Sequence, residues 1–274
     1  MKFLAIGDLH IASKRMYLLP KIDKYCVDNG IDSVIQVGDF GISWPGENCS
    51  ILRYFNKRAT QKRPGPTWIS CLGNHDNWNK FDRALKKEAE FTGIPREDIP
   101  VVSYAPGLLV ANRPGFLDIF GGVLFCGGAV STDADFIPRS GWGYSGEDHP
   151  GRVENKDWWR QEAPTRDQLQ KFCDLIDERK PKYIITHDGP EFAHDARRSG
   201  TCLKSNLRWD YCSRAFETIS QITEHKPKRW FFGHHHDLEQ TEKGKTTYHC
   251  CGLHGEGWLI DDNTNSCSTI NLGI

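Results

Sequence analysis

Short apolar runs recur along the chain, and five of them end at a cluster of Asp, Asn or His. The first run, from Lys2 to Ile6, has the length of a buried strand and passes directly into Gly7-Asp8. The other four runs cover residues 33–37, 67–72, 183–186 and 230–232. A glycine usually introduces the polar residues and lets the backbone turn tightly at the strand end. Polar clusters in this position are candidate site residues.

Helix-like stretches separate the early runs, at about residues 15–29, 47–62 and 79–90. This alternation predicts parallel strands that are joined by helical crossovers. Ligands gather at the carboxyl ends of such strands, so the five polar clusters can converge at one edge. The clusters after the later runs are Gly38-Asp39, Gly73-Asn74-His75-Asp76, His187-Asp188-Gly189-Pro190 and Gly233-His234-His235-His236.

The pattern changes beyond Val101, where short β-like runs at residues 108–110, 116–119 and 123–126 predict a second, more antiparallel sheet. Residues 131–164 form an irregular insertion that is rich in Gly, Pro and charge. Thr165 is the predicted cap of a helix that runs to about Lys180. Three antiparallel strands are expected at residues 246–251, 258–260 and 268–272. We expect one domain that spans residues 1–274.

Composition narrows the class of protein without identifying it. The chain is 38% hydrophobic and 26% charged, which is typical of a globular protein, and its net charge is -1. Such a balance gives no overall field to attract nucleic acid or an anionic membrane. No apolar stretch reaches the ~18 residues of a membrane span, and the first run is too short for a signal peptide. We therefore expect a cytoplasmic protein with no membrane partner, and alternation in a strand explains the adjacent Cys250-Cys251.

The polar clusters together offer a set of metal ligands. Each residue alone is weak evidence, but the set contains two carboxylates, an amide oxygen and four imidazoles. Such donors suit two borderline transition-metal ions better than one, whereas calcium or magnesium would prefer oxygen ligands only. The candidate ligands are Asp8, His10, Asp39, Asn74, His187, His234 and His236. By strand alternation, His235 should point away from them.

In their order along the chain, Gly7-Asp8-Leu9-His10 and the four later clusters resemble the five motifs of the calcineurin-like metallophosphoesterase superfamily. The resemblance implies an α/β fold, a four-layer αββα sandwich of two mixed sheets flanked by helices. It implies that Asp8, His10 and His236 hold one metal ion and that Asn74, His187 and His234 hold the other. It further implies that Asp39 bridges both ions. His75 would then donate a proton or stabilise the transition state, oriented by Asp76.

The residues around the second motif indicate the branch of this superfamily. Protein serine/threonine phosphatases carry a further Asp-Arg-Gly there, but in this chain Gly38-Asp39 continues as Phe40-Gly41-Ile42-Ser43-Trp44-Pro45. This difference argues against the protein-phosphatase branch. The segment from Gly127 to Ser131 with Asp133, and Asp157-Trp158-Trp159 with Glu162, are similar to small bacterial and phage phosphoesterases. The resemblance indicates the mechanism more closely than the substrate.

The resemblance implies hydrolysis of a phosphate mono- or diester by a metal-bridging hydroxide, on a nucleotide or another small organophosphate. Manganese is the favoured metal, with iron, nickel or zinc as alternatives. Arg139, in the irregular insertion beside aromatic residues, is the candidate for binding substrate phosphate. A nuclease is the alternative enzyme, since residues 57, 58, 62 and 63 form a short basic cluster. A non-catalytic scaffold is less favoured, because every proposed ligand is present.

Overall fold

The computed structural model describes residues 1–11, 15–42, 50–131, 154–155, 158–194 and 211–272. Within these ranges the early strands are β1 (Lys2–Ile6), β2 (Ser33–Gln36), β3 (Thr67–Ser70), β4 (Val101–Ala105), β5 (Leu108–Ala111), β6 (Gly115–Leu117) and β7 (Val123–Cys126). The later strands are β8 (Tyr183–Thr186), β9 (Arg229–Phe232), β10 (Gln240–Lys243), β11 (Thr246–Cys250), β12 (Glu256–Asp261) and β13 (Ser266–Asn271). The α-helices are α1 (Leu18–Asp28), α2 (Ser50–Thr60), α3 (Trp78–Thr92), α4 (Arg166–Arg179) and α5 (Tyr211–Ile222).

The described strands form two mixed sheets. The first has the order β13-β12-β1-β2-β3-β5-β4, and the second has the order β10-β11-β9-β8-β7-β6. Strands β1, β2, β3 and β5 are parallel neighbours, and β12 runs antiparallel to β1. In the second sheet, β7, β8, β9 and β11 are parallel neighbours. Most strands of the early chain therefore end at the same edge of their sheet.

Three hydrophobic cores separate four layers. Side chains alternate along β1, so that Leu4 packs towards α1, α2 and α3 whereas Phe3 packs towards the second sheet. The middle core joins the two sheets, with Phe125 and Phe231 opposite Phe3. The third core packs α4 and α5 on the outer face of the second sheet, through Phe172 of α4 among others. This layering is the predicted αββα sandwich.

Local sequence signals set the helix boundaries. Thr165 accepts a hydrogen bond from the Gln168 backbone N–H, while the Gln168 side chain accepts one from the Thr165 backbone N–H, a capping box that begins α4 as predicted. The Asn77 side chain caps α3, and Gly93 ends it in the left-handed conformation that glycine tolerates. The apolar stripes of α3 and α4 then dock these two helices on their sheets.

The predicted antiparallel character of the second sheet is wrong. Strand β5 belongs to the first sheet, where it pairs parallel with β3, and only β6 and β10 run antiparallel within the described second sheet. Of the three final strands expected to be antiparallel, β12 and β13 do pair antiparallel with each other, whereas β11 pairs antiparallel with β10 but parallel with β9. A buried strand is apolar on both faces whatever its direction, so its composition does not encode the direction of pairing.

Two smaller features complete the fold. Cys250 packs in the core beside α4 and α5 whereas Cys251 packs between the sheets, so alternation separates the two thiols as predicted. Across the described ranges, no helix is both long and apolar enough to cross a membrane.

Candidate active site

The candidate ligands lie at the carboxyl ends of strands from both sheets. Asp8 follows β1, Asp39 follows β2 and Asn74 follows β3, all in the first sheet. His187 follows β8, and His234 and His236 follow β9, in the second sheet. The residues that the sequence predicts to converge are therefore brought to one place across the seam between the sheets.

The backbone at this edge is unusual. Five non-glycine candidates have a positive φ, namely Asp8 (49°), His10 (43°), Asp39 (54°), His234 (69°) and His236 (61°). Such conformations cost free energy and cluster at functional sites, where the surrounding structure holds them. A close approach also explains Gly73, because a Cβ there would lie 2.1 Å from Asp39 Oδ1. The loops are thus shaped to bring polar atoms together.

A first group of ligand atoms is formed by Asp8, His10 and His236, whose nitrogen and oxygen atoms all lie within 4.8 Å of one another. Asp8 Oδ1 is 3.4 Å from His236 Nε2, and the rings of His10 and His236 have centroids 5.7 Å apart. The Asp8 carboxylate also accepts a hydrogen bond from the His234 backbone N–H, at 3.0 Å. This bond ties the β1 loop to the β9 loop.

A second group surrounds His187. Its Nε2 lies 3.1 Å from Asn74 Oδ1, and its Nδ1 lies 3.0 Å from the carbonyl oxygen of Val37. A carbonyl oxygen only accepts, so Nδ1 carries the proton and donates it, which leaves the Nε2 lone pair directed at the site when the imidazole is neutral. The ring of His234 is 5.1 Å from the ring of His187. Asn74, His187 and His234 thus converge as the sequence predicts.

Asp39 lies between the two groups. Its Oδ1 is 3.4 Å from His187 Nε2, and its Oδ2 is 3.8 Å from His10 Nε2. Each oxygen of one buried carboxylate therefore faces a different group. Asp8, Asp39 and His187 also lie with their ligand atoms within 4.8 Å of one another, so the two groups adjoin.

The electrostatics of these residues favour a bound cation. Burial raises the pKa of Asp39, but the imidazoles of His187, His75 and His10 outweigh burial and hold it well below its ordinary value. Burial lowers the pKa of His187, but Asp39 more than compensates and raises it to about 10. A proton on His187 therefore balances the buried Asp39 carboxylate, whereas burial lowers the pKa of His234 to about 3. A donor set of imidazole nitrogens and carboxylate and amide oxygens fits divalent transition metals in place of that proton.

His75 lies beside this centre. Its backbone N–H donates to Asp39 Oδ1 at 2.8 Å, while its ring Nε2 is 3.9 Å from Asp39 Oδ2. The side chain is 28% exposed, so it borders the space that a substrate would enter. His75 thus has access to solvent, whereas Asp39 does not.

Asp76 is buried and organises the loops around the centre. Its Oδ1 accepts the backbone N–H groups of Gly41 and Ile42, and its Oδ2 accepts that of Gly73, each at 2.9 Å. Burial and the neighbouring Asp39 raise the pKa of Asp76 to about 6 despite these bonds. Asp76 thereby ties the loop after β2 to the loop after β3. Its predicted orientation of His75 stays a prediction.

A family model described as calcineurin-like phosphoesterase matches residues 1–238. The chain belongs to the calcineurin-like phosphoesterase family. It is accordingly a metal-dependent enzyme that hydrolyses phosphoric esters. A comparison with curated proteins returns no significant match.

Two solved structures illustrate how widely this calcineurin-like phosphoesterase shares its fold. The protein TT1561 of Thermus thermophilus is 16% identical, with a TM-score of 0.56 and coverage of 99% of this chain and 98% of that one. GAP50, described as the anchor in the inner membrane complex of Plasmodium, is 10% identical, with a TM-score of 0.51 and coverage of 92% of this chain and 71% of that one. At these identities the likeness concerns the fold alone.

Asp188 and His235 form a buried pair beside the centre of this phosphoesterase. Asp188 Oδ1 accepts hydrogen bonds from His235 Nε2 and Ser213 Oγ, each at 2.9 Å. His235 belongs to neither ligand group, and His194 stacks on it with centroids 3.5 Å apart at 14°. Residues 234–236 lie beyond the end of β9, so the strand alternation that was expected to turn His235 away does not apply to them. Asp188, His194 and His235 could hold an ion by proximity alone. The nearly parallel rings cannot both direct in-plane lone pairs at one ion, so we regard them as support for the adjacent loops.

The Asp188 carboxylate should make folding depend on pH. Burial raises its pKa, but the hydrogen bond from His235 and nearby imidazoles outweigh burial and hold the pKa well below its ordinary value. Such a group stabilises the folded state above its unfolded-state pKa of about 3.9, and the contribution is lost as pH falls through the folded-state pKa. Asp188→Asn should therefore lower the free energy of unfolding by roughly 1.5–3 kcal/mol at neutral pH.

Urea denaturation of the chelated protein at several pH values checks this prediction. The gap between wild type and Asp188→Asn should narrow progressively below about pH 4. Asp98→Asn is the control, because Asp98 pairs with Lys171 at the surface and should change stability by less than about 1 kcal/mol. A gap that stayed constant down to strongly acidic pH would contradict the account.

The predicted phosphate-binding residue Arg139 lies outside the described residues, as does most of the 131–164 insertion. Of the basic cluster, Arg58 is buried and its Nη1 donates to Asp23 Oδ2 at 2.9 Å. Arg58 is therefore part of the packing between α1 and α2 and is not a solvated surface group.

Proposed function

We propose that the protein is a binuclear metal-dependent phosphoesterase that hydrolyses a phosphate mono- or diester of a nucleotide or another small organophosphate. One observation carries the proposal: the two oxygens of the buried Asp39 carboxylate face different ligand groups, at 3.4 Å from His187 Nε2 and 3.8 Å from His10 Nε2. A single ion would need only one of these groups.

The proposed ligand assignment follows the two groups. Asp8, His10 and His236 hold one ion, and Asn74, His187 and His234 hold the other. Asp39 serves both ions. Of the metals that such nitrogen and oxygen donors accept, we propose manganese, with iron, nickel or zinc as alternatives.

When bound, two such ions lower the pKa of a shared water and neutralise phosphate oxygens during in-line displacement. The ligands supplied by the protein would neutralise only part of the charge of the two ions. Asp8 and Asp39 bring two negative charges against the four positive charges of two divalent ions, and Asn74 supplies an oxygen without adding charge. The remaining charge attracts a phosphate anion to the site.

We propose that His75 acts on the substrate from the exposed side of the centre. An ester oxygen needs a proton or a hydrogen bond as it departs, and an imidazole can provide either near neutral pH. The bond from the His75 backbone to Asp39 Oδ1 holds the main chain beside the ligand groups, and the His75 ring lies 5.3 Å from the ring of His10. In this proposal His75 makes no bond to a metal ion.

A nuclease remains the second candidate among enzymes. A nuclease would need a basic groove that tracks a backbone, with aromatic side chains for stacking. The burial of Arg58 against Asp23 removes one cation from the basic cluster that suggested such a groove. The likeness to GAP50, described as an anchor, makes a non-catalytic scaffold an outcome that the assay must also detect.

We expect turnover to require a transition metal. Protein stripped with a chelator should lose activity, and Mn²⁺ should restore it, whereas Ca²⁺ should not because it prefers ligand sets made of oxygen. The panel contains p-nitrophenyl phosphate, bis-p-nitrophenyl phosphate, cyclic nucleotides and oligonucleotides. Turnover of the monoester or diester by stripped protein at the original rate would overturn the proposal. Turnover of oligonucleotides alone would favour the nuclease, and no turnover with any restored metal would favour the scaffold.

A further inference from the structure

Glu162 reaches the metal centre through two hydrogen bonds. We propose that Glu162 is a positioning residue that acts through Ser131 to hold the amide of Asn74 with its oxygen towards the second metal ion. This inference rests on the proposed two-metal function. It adds that Glu162 helps to set the affinity of the second metal site. Glu162 itself touches neither metal ligand atoms nor substrate in this scheme.

The chain of contacts is short and buried. Asn74 Nδ2 donates to Ser131 Oγ at 3.1 Å, and Ser131 Oγ donates to Glu162 Oε2 at 2.8 Å. The backbone N–H of Ser131 donates to the other carboxylate oxygen, Oε1. The exposed fractions of Asn74, Ser131 and Glu162 are only 3%, 4% and 3%. Water therefore cannot readily replace any member of the chain.

The direction of each bond follows from the donors available. A carboxylate only accepts, so the single hydroxyl proton of Ser131 is committed to Glu162. The Ser131 oxygen can then only accept, and it selects the NH₂ end of the Asn74 amide. The amide oxygen is left facing His187 Nε2, at 3.1 Å. A flipped amide would present NH₂ to the ion, and a neutral amide nitrogen offers no lone pair to a metal.

Glu162 is itself held in place by a buried arginine. Arg113 Nη1 donates to the Glu162 carbonyl oxygen at 2.9 Å, and Arg113 Nε donates to Gln168 Oε1 at 3.1 Å. The guanidinium lies 4.0 Å from the centre of the Trp78 ring. Gln168 is also the residue that completes the capping box of α4. Arg113 thus ties the main chain of Glu162 to two helices, α3 through Trp78 and α4 through Gln168.

A purely structural role is the competing explanation. A buried carboxylate is costly to desolvate, and an apolar residue of similar volume would often stabilise the fold equally well. A carboxylate has a specific effect here because it can only accept hydrogen bonds. Its presence therefore forces the Ser131 hydroxyl to donate its proton to Glu162. The two explanations differ in what they predict for metal binding.

We expect Glu162→Gln to weaken the second metal site selectively. The glutamine NH₂ group can donate to Ser131 Oγ, which frees the hydroxyl to donate to Asn74 Oδ1 and to favour the flipped amide. Loss of such an outer partner costs about 10- to 100-fold in metal affinity. Titration of the stripped protein with Mn²⁺, followed by calorimetry and by the magnetic coupling of the ion pair, should give one site of unchanged affinity and one weakened by that factor.

Substitutions at Ser131 provide the matched comparison. Ser131→Ala should weaken metal binding at the same site. Ser131→Thr keeps the hydroxyl, so its metal affinity at that site should match that of wild type. Thr246→Val is the control, because Thr246 Oγ1 is equally buried and donates to the Pro227 carbonyl oxygen at 2.6 Å, at the start of β11 and away from the ligand edge. This control should bind both ions as wild type does. If Glu162→Gln does not fold, the two Ser131 variants carry the test.

The outcomes separate this inference from the proposed function. Wild type that binds two ions, with Glu162→Gln and Ser131→Ala variants that bind both with unchanged affinity, would overturn the positioning role and leave the two-metal function intact. If these variants bind both ions normally but melt at a lower temperature than wild type, the Glu162–Ser131 bond serves only to stabilise the fold. Wild type that binds fewer than two ions would overturn the proposed function itself.

Discussion

Asp39→Asn is expected to lose metal and activity together. The substitution removes the negative charge between the two ligand groups and one of the two oxygens that face them at 3.4 and 3.8 Å. An outer-shell partner costs ~10–100-fold in metal affinity, and a shared ligand should cost more, so the binuclear site should not fill at micromolar metal. Metal content per chain and turnover of p-nitrophenyl phosphate, measured on the same preparation, check the prediction.

Asp23→Asn is the control for Asp39→Asn. Asp23 is also a buried carboxylate, but it accepts bonds from Arg58, Tyr54 and Trp68 in the layer of α1 and α2. Its loss should lower stability and leave the metal content of the folded protein unchanged. An Asp39→Asn protein with two bound ions and normal turnover would exclude a bridging role for Asp39.

His75→Ala should instead keep most of the metal and lose activity. The bond to Asp39 Oδ1 comes from the backbone N–H of residue 75, so the substitution leaves it in place. Removal of a positioned proton donor costs about 10² to 10⁴-fold in rate. The loss should be smaller for p-nitrophenyl phosphate, whose leaving group needs little protonation, than for an alkyl phosphate. Steady-state rates on both esters, together with metal content, measure it.

The two esters and the metal content distinguish three roles of His75. An equal loss on both esters would mean that the ring acts mainly on the phosphoryl oxygens. Loss of metal as severe as in Asp39→Asn would make His75 a ligand and contradict the scheme. His225→Ala is the control, because His225 binds the Pro181 carbonyl oxygen away from the ligand edge and should affect neither quantity.

Much of the fold was predictable because local patterns determine it. The side chains of the run from Lys2 to Ile6 pack alternately into two cores. Both faces of this strand are buried, so it stands out in the sequence as an apolar segment that stops at Gly7. The Thr165 cap was predictable for the same reason, since both partners of the capping box lie within three residues. The candidate ligands were identifiable because the carboxyl end of each parallel strand reaches the same edge.

Strand directions and contacts between residues that are distant along the chain could not be predicted from these local patterns. The direction of β5 beside β3 depends on the path of the chain between them, and both directions leave the same apolar composition. The bond between Ser131 and Glu162 joins residues that are 31 positions apart across the irregular insertion. Sequence similarity singled out both residues, but only the geometry connects them to Asn74. Asp188 and His235 bind each other because the ends of β8 and β9 meet, and the sequence alone does not show that contact.

The division of the ligands between the sheets has a consequence for the lifetime of the protein. Asp8, Asp39 and Asn74 belong to one sheet, while His187 and His234 belong to the other, so each bound ion would act as a cross-link between the halves of the sandwich. Ions that bind only the folded state add stability by mass action, about 2.7 kcal/mol when metal is present at 100 times its dissociation constant. A cell short of transition metal would then hold this enzyme in a form that is both idle and easier to unfold and degrade. Metal supply would thereby govern how much of the protein persists, in addition to how fast each copy works.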